Sequence, residues 1–338
     1  MIKKAKMKNT AIKSDKKKRA FIAPSRFVLF SLKPFIAFTG LHGPLIALVL
    51  FSNMAFAAGQ AGTDIAILNA GVGARALGMG SAFTAISDNA DAPYWNPAGL
   101  ALITSCEITT MQTKLSTDAD HYYLSYVNPL WGGTLGISWI QVGTGNLTQT
   151  SSEVDSHNEV QNLSMFSYFS NAYLLSYGKK INDHISFGLT GKYLSSDMQV
   201  TGGQGYGYSL TPGFLLTLDP WDLTLGFKVD ELFNEQKWGT GAVEKVPAKL
   251  RVGIAYAVQS RGKLALDMVQ TIRSGYDTML SAGYEWTQES LALRLGYNNG
   301  ITAGAGFVSG IVQLDYAYVT QDALSRSNVH RVSLGGVW

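Results

Sequence analysis

The chain has 338 residues, with 27 Lys and Arg against 24 Asp and Glu, a formal net charge of +3 and one cysteine. A single cysteine excludes an intramolecular disulfide and a zinc site built on cysteine ligands. The basic excess is local: residues 1–57 hold eleven Lys or Arg and one acid, Asp15, so the remainder keeps sixteen basic and twenty-three acidic residues, net −7. That balance removes the electrostatic warrant for nucleic-acid binding.

Residues 1–57 read as a signal peptide. A basic region containing Lys16-Lys17-Lys18-Arg19 precedes an apolar run, Pro44 to Phe51, and then Ala55-Phe56-Ala57. This is the order of a secretory signal, with cleavage after Ala57. The apolar run is far short of the ~20 residues that a spanning helix needs. Cys106 lies too far from the cleavage site to carry a lipid anchor and reads as a small filler at the start of the first strand.

Residues 58–104 read as a compact, non-repeating hatch or plug. The stretch Gly71 to Leu100 is rich in Gly, Ala, Asn, Asp and Pro. Within it Gly71-Val72-Gly73-Ala74-Arg75-Ala76 fits a G-x-G-x-x-A pattern. A dinucleotide site would need a strand before this turn and a βαβ unit after it. An export signal precedes it and an all-β chain follows, so the glycines read as places of close backbone packing.

Residues 105–338 read as a transmembrane antiparallel β-barrel of about 14 strands, an all-β fold. The strands are expected near 105–112, 121–128, 133–142, 167–178, 184–194, 205–218, 221–229, 248–258, 263–270, 277–287, 290–297, 301–308, 311–319 and 328–338. The warrant is alternation with period two. Val312, Leu314, Tyr316 and Tyr318 alternate with Gln313, Asp315 and Ala317; Val332, Leu334 and Trp338 alternate with Arg331, Ser333 and Gly335. Most strands have the nine to eleven residues that cross a bilayer at a tilt. Trp131, Trp221, Trp286, Tyr297 and Trp338 sit near strand ends, as interface girdles do. Links after odd strands run long (143–166, 195–204, 230–247), and links after even strands are tight (Asp219-Pro220, Gln288-Glu289, Ser309-Gly310), the asymmetry of outer-membrane barrels. An even strand count places both termini in the periplasm, and Trp338 ends the chain as a terminal insertion signal would.

The polar face of the strands carries Lys192, Asp222, Lys228, Lys249 and Arg251, then Asp267, Glu285, Arg294, Asp315 and Arg331. Lys or Arg on the lipid face costs about 2–4 kcal/mol near the midplane, so these charges are expected to face the lumen. They either pair with one another or meet the plug at Arg75, Asp88 or Asp91. Strand glycines such as Gly136, Gly188, Gly226, Gly253, Gly283 and Gly296 leave room for a plug or serve barrel curvature. His121, His157, His184 and His330 show no metal-ligand spacing, and no catalytic motif occurs. The reading is of a non-enzyme with no cofactor and no metal.

Two segments carry a resemblance. Gly73-Ala74-Arg75-Ala76-Leu77-Gly78-Met79-Gly80, Ala82-Phe83, Asp88 to Ala92 and Tyr94-Trp95-Asn96-Pro97-Ala98-Gly99-Leu100 resemble the start of the mature PorV/PorQ family, a branch of the FadL-like outer-membrane barrels. Leu295-Gly296-Tyr297, Leu314-Asp315-Tyr316-Ala317-Tyr318 and His330-Arg331-Val332-Ser333-Leu334-Gly335 match its far end. The resemblance implies that Gly73, Arg75, Gly78, Met79, Gly80, Asp88, Asp91, Tyr94, Trp95, Asn96, Pro97 and Gly99 form the plug motif. It also implies binding, shuttling or surface attachment of type IX secretion cargo, recognised by its C-terminal domain, alongside other type IX components. The alternative is a FadL-like passive channel for hydrophobic small molecules. Either reading implies outer-membrane lipid and the barrel-assembly machinery as partners.

Overall fold

The structure, a computed structural model, describes residues 66–115, 119–154, 157, 159–199, 203–259, 261–273, 276–320 and 328–338. The expected signal peptide, 1–57, and the first residues of the expected plug, 58–65, lie outside the described residues.

Sixteen strands form one sheet. They are β1 Glu107–Lys114, β2 Asp120–Leu130, β3 Gly133–Val154, β4 Val160–Lys180, β5 Ile185–Met198, β6 Gln204–Leu218, β7 Leu223–Asp230, β8 Leu232–Trp238, β9 Val243–Glu244, β10 Lys249–Val258, β11 Gly262–Thr271, β12 Met279–Gln288, β13 Leu291–Tyr297, β14 Ile301–Ser309, β15 Val312–Val319 and β16 Val329–Val337. Fourteen of them make the wall, each antiparallel to the next, and β1 pairs with β16 to close the ring. The other two, β8 and β9, stand above it. β8 runs on along β6 beyond β7, from Leu210↔Leu232 to Gly205↔Trp238. Closure leaves no free edge in the wall, as a barrel in lipid requires. Among the described residues no helix is long and apolar enough to cross a membrane.

Alternation sets the two faces. In β15 the burial pattern runs exposed, half-buried, exposed, buried, exposed, buried, so that Leu314 and Tyr316 face out and Asp315 and Ala317 face in. β16 repeats this, with Val332 and Leu334 out and Arg331 and Ser333 in. The tight connections gather at one end of the barrel, where Trp131, Trp221 and Trp338 lie exposed. Both ends of the ring are joined there, Cys106 and Trp338 exchanging backbone hydrogen bonds of 3.1 and 3.0 Å. Higher on the outer face Trp139, Tyr173, Tyr193 and Tyr208 lie in one register row across β3 to β6. This second aromatic band was not among the aromatics expected from strand ends.

The wall is uneven in height. β3 and β4 have 22 and 21 residues and β5 and β6 have 14 and 15, whereas the other wall strands have seven to eleven. The stretch expected as a 143–166 loop is therefore a two-stranded ribbon. β2 leaves β3 at Gly143, and the ribbon continues alone to Val154↔Val160 with register shifts near Thr144 and Gln149. The expected 195–204 and 230–247 loops are shortened in the same way by β5, β6, β8 and β9. Trp221 and Asp222 also differ from expectation. Asp219–Trp221 forms a 3-10 turn, and Asp222 follows it with φ 50°. Asp222 is therefore an exposed turn residue and not a lumen-facing charge, and β7 starts at Leu223.

Candidate functional site

The lumen is filled by the chain that precedes β1. Three short helices, α1 Ala66–Asn69, α2 Ala74–Gly78 and α3 Ala92–Trp95, lead to a 3-10 helix, Pro97–Leu102, that delivers the chain to the wall. Helices this short are not stable alone; tertiary contact holds them. Val72, Met79, Phe83, Trp95 and Leu100 are each 2% exposed or less. Tyr94 and Trp95 meet edge to face, with ring centroids 5.0 Å apart, and the Trp95 indole donates to the Val72 carbonyl at 3.0 Å.

Close approach of plug and wall depends on glycine. A Cβ at Gly136, Gly178, Gly188, Gly213, Gly226, Gly253, Gly283 or Gly296 would come within 3.0 Å of plug atoms. These eight lie on β3, β4, β5, β6, β7, β10, β12 and β13. Several are direct register partners: Gly178↔Gly188↔Gly213, Gly226↔Gly253 and Gly283↔Gly296. They form a belt on which the plug backbone lies. The plug answers in kind: Gly78 lies against Gly304, and Gly80, at φ +65°, lies against the Tyr297 backbone. Gly99 packs on Ser87 within the plug. The belt accounts for the strand glycines by close approach.

Backbone groups of the plug that this packing removes from water are satisfied by the wall, as buried polar groups must be. The Asp267 carboxylate accepts from Phe83 N and Thr84 N at 3.1 and 2.9 Å. Ser333 Oγ accepts from Ala74 N at 2.9 Å, while Thr302 and Thr190 hydroxyls donate to the Gly78 and Pro93 carbonyls at 3.0 Å. Asn96 binds on both sides. Its Oδ1 accepts from Ala98 N at 3.1 Å, and its Nδ2 donates to Thr84 O in the plug and to Phe214 O in β6. The Pro97 carbonyl lies over Gly178 and Gly188. Met79 sits over Gly283 by its backbone, with its side chain buried.

Charges clamp the plug at two levels. At the end bearing the tight connections, Arg75 binds Glu285 through two nitrogens at 2.8 Å each and Asp88 at 2.6 Å. Lys263 reaches Asp88 at 2.5 Å, and Arg294 joins Glu285 to Asp315 at 2.7 Å each. Burial alone would raise the Asp88 carboxyl; the charges of Arg75 and Lys263 outweigh it and hold the group well below the carboxylate range. Toward the tall rim, Lys192 binds Glu231 at 2.6 Å, and Asp230 collects Lys228 at 2.8 Å and Arg251 at 2.6 Å. The Lys228 ammonium also donates to the Tyr94 carbonyl at 2.5 Å. A cavity of about 20 Å³, lined by these groups, Lys249 and plug residues Leu68, Asn69 and Tyr94, remains between them. Arg331, fully buried, lies 3.2 Å from His121 Nδ1 and points a nitrogen at the Gly71 carbonyl.

The expected lumen charges thus divide. Lys228, Asp267, Glu285 and Arg331 touch the plug; Lys192, Arg251, Arg294 and Asp315 tie those contacts together; Lys249 lines the cavity; Asp222 lies outside the lumen. Among the described residues Asp91 meets no inward Lys or Arg. It lies against Gly73, whose φ of +75° brings the backbone close, and takes a hydrogen bond from Asn89 at 3.1 Å. Glu107, Asp230, Glu231 and Lys263 belong to the site and were not among the expected residues. Glu107, Asp230 and Lys263 share the inward parity of Met111, Lys228 and Asp267, so period two alone would have marked them.

The lumen also has an apolar side. Met111, Tyr123, Ile140, Ala172 and Leu194 form one inward register row across β1 to β5. All are at most 1% exposed and pack in one cluster with Leu77, Phe83, Tyr94 and Trp95 of the plug.

The chain matches no protein-family model and no curated protein. Its fold has solved counterparts. The toluene transporter TbuX of Ralstonia pickettii is similar, with a TM-score of 0.56 and 14% identity, over 80% of this chain and 99% of that one. The toluene transporter TodX of Pseudomonas putida gives 0.57 and 14% over 80% and 99%. A channel named CymD, described as a monoaromatic hydrocarbon channel, gives 0.55 and 13% over 80% and 98%. The fold, a closed fourteen-stranded antiparallel barrel, is the one these proteins share.

Proposed function

We propose that the protein is a passive outer-membrane channel for hydrophobic small molecules, gated by its plug. The observation that carries this reading is the division of the lumen. The charged clamps around the plug come from β7 and β10–β15, with Lys192 of β5 joining them at the rim, while the Met111–Leu194 row offers an apolar boundary across β1–β5. Apolar solutes partition toward such a surface and away from buried ion pairs. The fold likeness, over 80% of this chain, to proteins described as toluene transporters and a hydrocarbon channel supports this class better than a secretion role. In the described arrangement the plug is packed against the wall, so passage requires it to shift. The end bearing the tight connections and both strand termini faces the periplasm in this reading, and the tall rim faces outward.

The plug motif, Gly73 to Leu100, favours a second reading, binding of secreted cargo in the PorV/PorQ manner. Uptake across an outer membrane separates them. Bacteria carrying the protein in a lipopolysaccharide-bearing outer membrane should take up toluene faster than the same bacteria without it. Leu194→Asn, which puts a polar amide of similar volume into the apolar row, should cut the excess at least several-fold while the barrel remains heat-modifiable. Equal uptake with and without protein, together with retention of cargo C-terminal domains on a column of the purified protein, would reverse the order of the two readings.

A further inference from the structure

At the end bearing the tight connections the interior holds more acid than base. Five carboxylates meet there: Asp88 and Asp91 from the plug, Glu107 from β1, Glu285 from β12 and Asp315 from β15. Three cations face them, Arg75, Lys263 and Arg294, and the ion pairs consume Asp88, Glu285 and Asp315. Among the described residues Asp91 and Glu107 bind none of the three. Both act on the same turn of the plug. Glu107 Oε2 accepts from Ala90 N at 2.9 Å, and Asp91 is the next residue and opens α3, its carbonyl accepting from Tyr94 N and Trp95 N. Asp91 is 2% exposed; Oδ2 takes the Asn89 amide, and Oδ1 has no hydrogen-bond partner. A buried carboxylate with an unmet oxygen among other acids is a costly anion and an acceptable neutral acid.

We propose that Asp91 is a proton-operated catch: protonated, it keeps the segment Ser87–Asn96 seated, and ionised, it loosens that segment from β1 and β2. The charged and titratable groups around it are Arg75, Asp88 and Tyr94 of the plug, Glu107 on β1, Tyr123 on β2, Glu285 on β12, Arg294 on β13 and Asp315 on β15. His121 on β2 and Arg331 on β16 lie by Gly71. Burial pushes the Asp91 carboxyl up to about 6; the Asn89 hydrogen bond opposes this and the Asp315 charge adds to it. The shift is upward, so seating is strongest below the exposed carboxylate value, weakens as pH rises from there to about 6, and changes no further above it. A displacement of about two pH units from the exposed value corresponds to at most about a hundredfold in the seating equilibrium. The inference concerns the seat alone and holds whichever molecule passes.

Amide hydrogen exchange tests it on the purified, folded barrel. Exchange of peptides covering 83–96 is measured from pH 4.5 to 8 and divided by that of the same peptides unfolded at each pH. Protection should fall by tens of fold, with a midpoint on a logarithmic scale at about pH 5 and a plateau above about 6, and Asp91→Asn should give a flat profile with protection kept. A flat wild-type profile overturns the proposal, and so does a pH-dependent loss that persists in Asp91→Asn. Should Asp91→Asn not fold, Asn89→Ala is expected to raise the midpoint and Asp315→Asn to lower it; midpoints that stay in place overturn the proposal equally.

Discussion

Single atoms decide whether the plug fits. At Gly283 a Cβ would meet the Met79 carbonyl and side chain, and neither has room to retreat, because Met79 is fully buried and Gly80 is pressed on Tyr297. Packing at native density gives no slack for an added methyl group. Gly283→Val should therefore unseat the plug. Limited proteolysis of the folded protein should newly cut within residues 73–100, while heat-modifiability shows the wall intact. Gly191→Ala is the matched control, since its Cβ would meet nothing nearer than a carbonyl at 4.0 Å, and it should leave the protease pattern unchanged. At this scale the sequence was partly legible. Inward charges on β10 to β16 followed from parity, because one face of each strand has to avoid lipid. Asp222 did not, because Asp219-Pro220 reads as a two-residue link and gives no sign that Trp221 completes a turn and that the strand begins two residues later, at Leu223. The partner of each plug residue was not legible either. Arg75, Asn96 and Met79 meet different strands far away in sequence, so no local period records the contact.

Strands were legible where lipid and lumen impose opposite demands on their two faces, and illegible where that contrast stops. Above Gly143 both faces of β3 and β4 meet water: Thr148, Gln149 and Thr150 of β3 carry no apolar period, and Leu163 and Met165 of β4, which alternate with Asn162 and Ser164, are exposed. The ribbon is sustained by the wall below it, since a two-stranded hairpin has little stability of its own. It contributes nothing to closure. Replacing residues 147–163 by a short Asn-Gly turn should leave the heat-modified shift in place and the unfolding free energy within about 0.5 kcal/mol of the parent. A loss of several kcal/mol on denaturant titration would show that the ribbon braces the barrel.

For the whole molecule the decisive contact is the seam. Only β1 and β16 join the two ends of the wall, over Glu107↔Val337 to Gln112↔Val332, and Trp338 extends it by its backbone bonds with Cys106 and by stacking on Tyr126. Removing Trp338 deletes the final pair at the end that must close first or last. Assembly into the outer membrane should drop sharply, read as loss of the heat-modifiable band in membrane fractions; an undiminished band would show the terminal residue to be dispensable. The seam joins residues more than two hundred positions apart, and bringing such distant ends together costs chain entropy that must be recovered by contact. The plug precedes both edges in the chain and holds each of them: Ala90 binds Glu107 of β1, and Ala74 binds Ser333 of β16. A plug that binds both edges offsets part of that cost, so a defect in its glycines or clamps is expected to slow closure of the wall, read as a longer time to reach the heat-modifiable form.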